Sequence, residues 1–285
     1  MPMTQQVERV KRRRTLADKI ITGLNTARYR ATEPLMLARA RARFEHLYRD
    51  PDEYPLISVY VPTYNRGEIL MERAVKSVLA QSYPNFEFII LGDCCTDNTA
   101  ELVFGIKDPR VIFYNIPTRG YRYPPTPENN WFAGPVVAAN EALGRVRGKW
   151  IARIDDDDLW TPDHLEVLLR FAQEGNYEFA SASYEAERHG KRYIVDARED
   201  NPRIGGTQTW LYRSYLSFFK YNIHCWRKSW NKVNDTDIQH RIYEAGVRMG
   251  YLDRVVATII PRPGEKTIGL EAYLTAEKEG IRVHA

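Results

Sequence analysis

The chain has only 3 cysteines among 285 residues. Two of them, Cys94 and Cys95, are adjacent, and the spacing fits neither a disulfide framework nor a metal-binding motif. We therefore expect small buried hydrophobic residues in a protein of a reducing compartment. The N-terminus shows no charged-then-apolar leader, and no apolar run approaches the ~18 residues that cross a bilayer. These absences, together with the lack of internal repeats, predict a cytoplasmic protein with an ordinary globular core.

Positive charge is concentrated at the N-terminus. The formal net charge is +4, but residues 1–49 carry 12 Lys and Arg against 4 Asp and Glu, and the rest of the chain is acidic. Helical apolar spacing from Leu16 to Tyr48, divided at Glu33-Pro34, predicts two helices. We expect a basic helical arm over residues 1–50, headed by Lys11–Arg14. It either packs on the main domain or contacts the inner face of a membrane or another copy. No nucleic-acid partner is predicted, because aromatic residues are not interleaved with the basic run.

An apolar run at residues 150–154 ends abruptly in four aspartates, Asp155–Asp158. Its β-branched and aromatic residues suit a buried strand, and Thr161 with Pro162 suits the start of a helix. Ligands bind at the carboxyl ends of strands in open α/β sheets. Four crowded carboxylates repel one another unless a divalent cation or an arginine neutralises them. We therefore predict a cation-dependent site here; the alternative is an acidic surface turn.

Strand and helix patterns alternate from residue 56 onward. This predicts an α/β fold: a Rossmann-like, mostly parallel sheet with helices on both faces. Residues 118–132 are proline-rich and aperiodic, which predicts a mobile or substrate-covering loop. The predicted strands of this half are 56–61, 86–91, 111–115 and 150–154, and the predicted helices are 68–81, 97–105 and 135–146.

The second half departs from simple alternation and is rich in aromatic residues. A helix at 162–173 precedes strands at 177–184 and 193–195, and a helix at 235–248 precedes a strand at 254–260 and a final helix. Aromatic residues mostly fill cores, but an aromatic groove can also hold a sugar ring. We select Trp210 and Tyr212 as candidate acceptor contacts. The full set is Trp210, Tyr212, Tyr215, Phe218, Phe219, Tyr221, Trp226 and Trp230.

Three predicted strand ends converge at one edge of the sheet. They carry Pro62–Arg66, Gly92–Asp97 and the acid run. Polar groups for a base followed by carboxylates for a metal are what a nucleoside diphosphate requires, because the metal bridges the phosphate oxygens.

The order of these motifs resembles family 2 of the glycosyltransferases, which has the GT-A fold. The likeness covers about residues 56–248. It implies a GT-A domain over residues 51–285, with a nucleotide-binding half at 51–160 and an acceptor-binding half at 161–285. It also implies a nucleotide-sugar donor, with UDP favoured, inversion at the anomeric carbon, and a glycan or lipid-linked acceptor. The matching segments are Val59–Arg66, Ser77–Tyr83, Asp93–Thr99, Ala139–Leu143, Gly148–Ile151 and Asp155–Asp158.

The resemblance assigns roles to individual residues of the nucleotide half. Asp93 would accept a hydrogen bond from the base, and Asp155 would lie near the ribose. Asp157 would ligate Mn²⁺ or Mg²⁺ through the diphosphate, although Asp156 and Asp158 leave open a register one residue away. The residues implied to bind the nucleotide are Pro62, Thr63, Tyr64, Arg66, Asp93, Asp155 and Asp156.

The segment Asn234–Arg241 is similar to the family pattern Glu-Asp-x-Asp-Leu-x-x-Arg, with Asn234 in place of the glutamate. Asp235 then takes the position of the catalytic base, which would remove the proton of the acceptor hydroxyl. Asp237 would contact the acceptor. The alternative is that both aspartates only cap a helix N-terminus. Gly92, Cys94 and Cys95 are further departures, standing where the family often has an acid and Gly-Ser.

Two other functions are compatible with parts of this pattern. A nucleotidyltransferase of similar fold should show a glycine-rich basic loop after the first strand, and Pro62–Gly67 is poor in glycine. A non-catalytic membrane-associated binding module has no need for Asp93, the acid run and Asp235 together.

Overall fold

The structure is a computed structural model that describes residues 14–49, 52–197, 202–227 and 233–278. Lys11–Arg13 of the basic run, the predicted boundary at 50–51 and Trp230 lie outside the described residues. The division of the chain at residue 50 therefore stays a prediction.

Helix α1 (Leu16–Phe44) opens the described chain and continues into a 3₁₀ turn (Glu45–Tyr48). A capping box between Thr15 and Asp18 starts it. The predicted break at Pro34 is wrong, because the helix runs through this residue. Pro34 removes one backbone hydrogen bond, but Glu33 and Leu37 on either side of it are buried against the rest of the protein. Among the described residues, no helix is both long enough and apolar enough to span a bilayer.

The strands form one mixed sheet. They are β1 (Ile57–Thr63), β2 (Phe86–Gly92), β3 (Val111–Asn115), β4 (Trp150–Arg153), β5 (Asp158–Trp160), β6 (Phe179–Arg188), β7 (Lys191–Val195), β8 (Leu211–Arg213) and β9 (Met249–Ile259). Their order is β3-β2-β1-β4-β8-β6-β9-β5, with β7 paired to β6. The first four strands are parallel, whereas β8 runs antiparallel to β4 and β6.

Helices cover both faces of the sheet, as predicted. They are α2 (Gly67–Leu70), which continues through a π-helical turn (Met71–Val75) into α3 (Lys76–Leu79), then α4 (Thr99–Phe104), α5 (Pro127–Ala133), α6 (Val136–Ala142), α7 (His164–Glu174), α8 (Asn234–Glu244) and α9 (Leu270–Lys278). Alternate residues of β1 enter opposite core layers, with Val59 and Val61 on one side and Tyr60 on the other.

Besides α1, several elements differ from the sequence prediction, and two of them bear on the site. Helix α5 lies inside the segment predicted to be a loop, and its start signals were present: Thr126 accepts the Asn129 N–H, and Pro127 occupies the first turn. The acid run does not end in a turn alone, since Asp158 begins β5 and pairs with β9.

Candidate active site

The carboxyl ends of β1, β2 and β4 open into a cavity of about 370 Å³. The first residues of helix α8, Asn234 and Asp235, also line this space, so that the motifs of both halves of the chain line one cavity. The sequence-predicted residues that line it are Pro62, Thr63, Tyr64, Arg66, Asp93, Asp155, Asp156, Asp157 and Asp235.

The end of β1 is tied directly to the acid run. Thr63 Oγ1 donates to Asp156 Oδ2 at 2.8 Å, and Arg66 Nη1 donates to Asp156 Oδ1 at 3.1 Å. Burial raises the pKa of Asp156 against the opposing effect of Arg66. Asp156 thus links the first strand to the fourth.

Exposure alternates along the acid run. The side chains of Asp155 and Asp157 are 35% and 26% exposed, whereas that of Asp156 is 6% exposed. Asp158 is also buried, and burial together with the neighbouring aspartates raises its pKa well above the usual range. Asp155 and Asp157 are therefore the carboxylates available to a ligand in the cavity.

Arginines neutralise the two exposed acids. Arg153, itself buried, donates from Nη2 to Asp155 Oδ1 at 2.8 Å. Asp157 Oδ2 lies 3.6 Å from Arg66 Nη1 and 3.9 Å from Arg262 Nε. The Asp157 pairs are longer than hydrogen bonds.

Asp93 follows β2 and carries one satisfied and one unsatisfied oxygen. Oδ2 accepts from Arg122 Nη1 at 2.7 Å and lies 3.3 Å from Arg119 Nε. Oδ1 is buried and has no hydrogen-bond partner among the described residues. The guanidinium of Arg119 rests 3.8 Å above the ring of Tyr64 beside it.

Close packing against Asn115 explains why glycine occupies position 92, before Asp93. A Cβ at Gly92 would lie 2.6 Å from Asn115 Oδ1, the atom that accepts the Cys95 N–H. A larger side chain at position 92 would therefore require the Asn115 side chain to move. Cys94 adopts a left-handed φ of 63° in the turn that follows.

Asp235 lies in the first turn of α8 and is half-buried. The residue at the N-cap is Val233, and Asp235 Oδ1 accepts the Thr236 N–H at 2.7 Å. Burial raises the pKa of Asp235, with Asp155 adding to the rise and Arg153 opposing it. The carboxylate thus feels the charges of the acid-run side of the cavity.

The structure buries the three residues predicted to contact the acceptor, and none of them lines the cavity. The ring of Trp210 packs on Phe179, and its Nε1 donates to the carbonyl of Gly205 at 2.8 Å. Tyr212 stacks on the same phenylalanine. Asp237 is 4% exposed and forms an ion pair with Arg241 at 3.1 Å. Covered rings offer no face to a sugar, and a carboxylate paired in the interior cannot reach one.

Residues 58–232, more than half of the chain, match the family model described as Glycosyl transferase family 2. The chain belongs to glycosyl transferase family 2. This confirms the family that the motifs resemble.

Curated relatives of this family 2 protein match over shorter segments. The protein named colanic acid biosynthesis glycosyl transferase WcaA of Escherichia coli (strain K12) is 38% identical over 122 residues, which are 42% of this chain and 39% of the relative. The UDP-Glc:alpha-D-GlcNAc-diphosphoundecaprenol beta-1,3-glucosyltransferase WfgD of Escherichia coli is 31% identical over 134 residues, 47% of each chain. The matches therefore span less than half the length of these relatives.

Solved structures show the same fold. Staphylococcus aureus TarS 1-349, in complex with UDP-GlcNAc, aligns with a TM-score of 0.57 at 20% identity, covering 74% of this chain and 60% of that one. The mannosyltransferase PcManGT from Pyrobaculum calidifontis, in complex with GDP-Man and Mn²⁺, aligns with a TM-score of 0.54 at 18% identity, covering 87% and 70%. The predicted GT-A fold is confirmed.

The cavity of this family 2 protein contains arginines that sequence reasoning missed. Arg119 and Arg262 lie in segments without a recognised motif, and Arg153 was counted only as part of the strand before the acid run, yet all three line the cavity. The net charge of the chain after residue 49 is negative, and it gives no indication of this local cluster of arginines. No local signal could have found it, because the arginines converge only in the folded chain.

Arg73 is a further missed residue, and it acts behind the cavity wall. It lies in the π-helical turn and is buried. Its Nη1 donates to the carbonyls of Asp157 and Ile260, each at 2.9 Å, and its Nη2 donates to the carbonyl of Pro261 at 2.7 Å. Arg73 therefore holds the backbone of the acid run against the loop that carries Arg262.

The carboxylate oxygens of the acid run suit a hard divalent cation whose remaining ligands come from the substrate. Among the described residues, no group of three or more His, Cys, Asp or Glu side chains could hold a metal ion alone. Mg²⁺ sites in enzymes that act on phosphates commonly use one or two carboxylates plus the phosphate oxygens. Asp157, partly exposed and outside hydrogen-bonding distance of its two arginines, fits this kind of site.

Proposed function

We propose that this protein is a metal-dependent, inverting glycosyltransferase. It transfers a sugar from a nucleoside diphosphate sugar, with UDP as the nucleotide, to a hydroxyl of a glycan or lipid-linked acceptor. The observation that carries the proposal is the convergence of Asp93, Asp157 and Asp235 on one cavity. Family membership weighs against a nucleotidyltransferase or a non-catalytic binding module.

Asp93 and Tyr64 form the base pocket in this proposal. The buried Oδ1 of Asp93 lacks a partner, and the N3–H of uracil is a donor of the right kind. The planar guanidinium of Arg119 lies 3.8 Å over the ring of Tyr64, and a base would stack in its place. The name of the relative WfgD also states a UDP-glucose donor and a diphosphoundecaprenol-linked acceptor.

Asp157, Arg66 and Arg262 hold the diphosphate end of the donor. A bound Mn²⁺ or Mg²⁺ would stabilise the charge that develops on the departing diphosphate. Asp157 supplies the protein ligand of the metal. Arg66 and Arg262, at 3.6 and 3.9 Å from Asp157, would pair with phosphate oxygens. Asp155, held by Arg153, takes the place near the ribose.

Asp235 is the catalytic base of the proposed reaction. Its carboxylate takes the proton of the acceptor hydroxyl while the hydroxyl oxygen forms a bond to the anomeric carbon. The bond between that carbon and the diphosphate oxygen breaks, and its electron pair leaves with the nucleoside diphosphate. The raised pKa of Asp235 improves its match to this task.

Calorimetric titration with UDP-glucose, UDP-GlcNAc, GDP-mannose and TDP-glucose, each with Mn²⁺ and with EDTA, tests the donor and the metal together. We expect a UDP-sugar to bind tightest and only with the metal. The Asp157→Asn variant should lose the gain in donor affinity that Mn²⁺ provides. The Asp163→Asn variant is the control and should keep this gain, because Asp163 lies outside the cavity and pairs with Arg254. Equal affinity with and without Mn²⁺ would refute the metal assignment, and tighter binding of a GDP- or TDP-sugar would refute the base assignment.

Proton NMR of the transfer product tests inversion. An α-linked donor should yield a β-linked product, which has a distinct anomeric coupling constant. A retained α linkage would exclude single displacement by an acceptor activated by Asp235.

A further inference from the structure

Helix α1 carries an exposed apolar stripe that runs from Leu16 to Leu35. The spacing of its residues is four, four, three and then four, four, which keeps them on one side of a helix with 3.6 residues per turn. All of them are exposed, including Leu16 at 74%, Leu24 at 66% and Leu35 at 62%. We call this set the outer stripe: Leu16, Ile20, Leu24, Ala27, Ala31 and Leu35.

The opposite side of α1 is fastened to the protein. Leu37 is 1% exposed, and Arg41 forms two hydrogen bonds, at 2.8 and 2.6 Å, with the fully buried Glu178. Tyr48, just after the helix, donates to the carbonyl of Lys149 and packs edge-on against Trp150. The outer stripe therefore cannot turn inward without breaking these contacts.

The exposed charges of α1 itself have one sign, and one of them, Arg30, pairs with Glu244 of α8. Both acids of α1 face the protein: Asp18 pairs with Arg227 at 2.8 Å, and Glu33 pairs with Arg241. The charged side chains that α1 exposes are Lys19, Arg28, Arg30, Arg39 and Arg43. The solvent side of the helix thus combines an apolar stripe with cationic flanks.

We propose that the outer stripe and its cationic flanks bind the surface of a bilayer that contains anionic lipids. An amphipathic helix of this kind lies in the plane of the interface, with its apolar side chains among the acyl chains and its cations at the headgroup phosphates. A second copy of the chain is the less suitable occupant. Pairing two outer stripes would bring arginines and lysines together without an exposed acid of α1 to neutralise them.

This docking also orients the cavity, a consequence that rests on the proposed function. Helix α8 contacts α1 through Arg241 and Glu244 and carries Asp235 six residues before Arg241. At 1.5 Å per residue, the base lies only ~9 Å along α8 from the contact with α1. A membrane-bound α1 would therefore hold the acceptor side of the cavity near acceptors carried on lipids.

Co-sedimentation of the full chain with lipid vesicles tests the proposal. We expect binding to vesicles of equimolar phosphatidylglycerol and phosphatidylcholine, and none to phosphatidylcholine alone. Salt at 1 M, where the Debye length is ~3 Å, should weaken the binding. The triple variant Ile20→Gln/Leu24→Gln/Leu35→Gln should lose roughly tenfold or more in vesicle affinity, because apolar burial contributes in proportion to area.

Two matched variants control for general effects of substitution. Phe104→Gln/Tyr121→Gln removes apolar side chains that are 71% and 83% exposed elsewhere, and should bind vesicles like the unmodified protein. Lys19→Gln/Arg28→Gln/Arg39→Gln removes only charge from α1, and should lose the preference for anionic vesicles. This second set decides the matter if the triple variant does not fold.

Failure of the unmodified chain to sediment with anionic vesicles would overturn the proposal, as would undiminished binding by the charge variant. A dimer in light scattering that the triple variant converts to a monomer, without vesicle binding by either, would assign the outer stripe to a second copy instead. The vesicle readout uses no nucleotide. UDP affinity measured on the same samples therefore separates failure of this docking from failure of the proposed function.

Discussion

Replacing Glu33 with alanine should destabilise the fold by about 3 kcal/mol, the lower end of the ~3–5 kcal/mol expected when one partner of a buried ion pair is removed. Glu33 is 5% exposed and Arg241 is 7% exposed. Arg241 donates to Glu33 from both Nε, at 3.1 Å, and Nη2. The substitution therefore leaves two N–H groups of a buried cation without their acceptor.

We expect a loss of about 3 kcal/mol, rather than a larger one, because Arg241 keeps other partners after the substitution. Nη1 still donates to Asp237 at 3.1 Å and to the carbonyl of Lys220 at 2.9 Å, and the guanidinium still lies 3.8 Å over the ring of Tyr29. The charge thus keeps one carboxylate after the substitution. Glu33→Gln, which retains an acceptor oxygen, should cost less than Glu33→Ala.

Urea unfolding followed by circular dichroism measures the loss directly. A parallel thermal scan should show a decrease of roughly 6–12 °C, taking ~2–4 °C per kcal/mol for domains of comparable size. The matched control is Arg30→Ala, because Arg30 and Glu244 join the same two helices, with side chains 65% and 42% exposed. We expect this control to leave the unfolding free energy unchanged within error.

Equal unfolding free energies for Glu33→Ala and Arg30→Ala would refute the reasoning. Such a result would mean that the pair between α1 and α8 is hydrated in solution. Residues 1–49 would then behave as an independent arm rather than as part of the folded unit.

Three further predictions follow from the same structure. Asp235→Asn should lower the transfer rate by ~10²–10⁴-fold without changing donor affinity in calorimetry. Asp237→Asn should mainly lower the melting temperature, because the Asp237 carboxylate pairs with Arg241 inside the protein. Near-normal transfer by Asp235→Asn at saturating acceptor would remove Asp235 from the mechanism. Burial raises the pKa of Asp235, and the base acts only when it is deprotonated. The transfer rate should therefore fall as pH decreases, with a midpoint above the usual pKa of 3.8. A midpoint at or below 3.8 would contradict the buried environment of Asp235. Deletion of residues 1–49 should yield insoluble or unfolded protein, because it removes Leu37 and the partner of buried Glu178; a soluble product with unchanged UDP affinity would contradict the packing of α1.

The sequence alone predicted the parallel strands of the nucleotide half and most of its helices, although it missed α5. Strand and helix periodicities are local properties, and parallel strands place their carboxyl ends at one edge of a sheet. The positions of Asp93 and the acid run at strand ends therefore predict that they share one region. Asp235 needed the family pattern, since a pair of acids at a helix start has a capping role by default.

The aromatic residues of the second half show where local pattern ends. Trp210 and Tyr212 have the composition of a sugar-binding groove, yet both pack on Phe179 in the core. Whether an aromatic ring meets solvent or another ring depends on contacts with residues distant in the chain. Periodicity over short strands and 3₁₀ turns carries no such information.

The sequence by itself determined the α/β alternation, the strand-end position of the acids and the charge asymmetry of the chain. Only the tertiary structure decided which cations neutralise those acids and which side of α1 faces the protein. Asp157 lies between Arg66 and Arg262, which are distant from it in the chain, and Glu33 pairs with Arg241 from a helix more than 200 residues away. The physical reason is that an ion pair depends on distance in space, whereas sequence pattern reports only the residue types and their order along the chain.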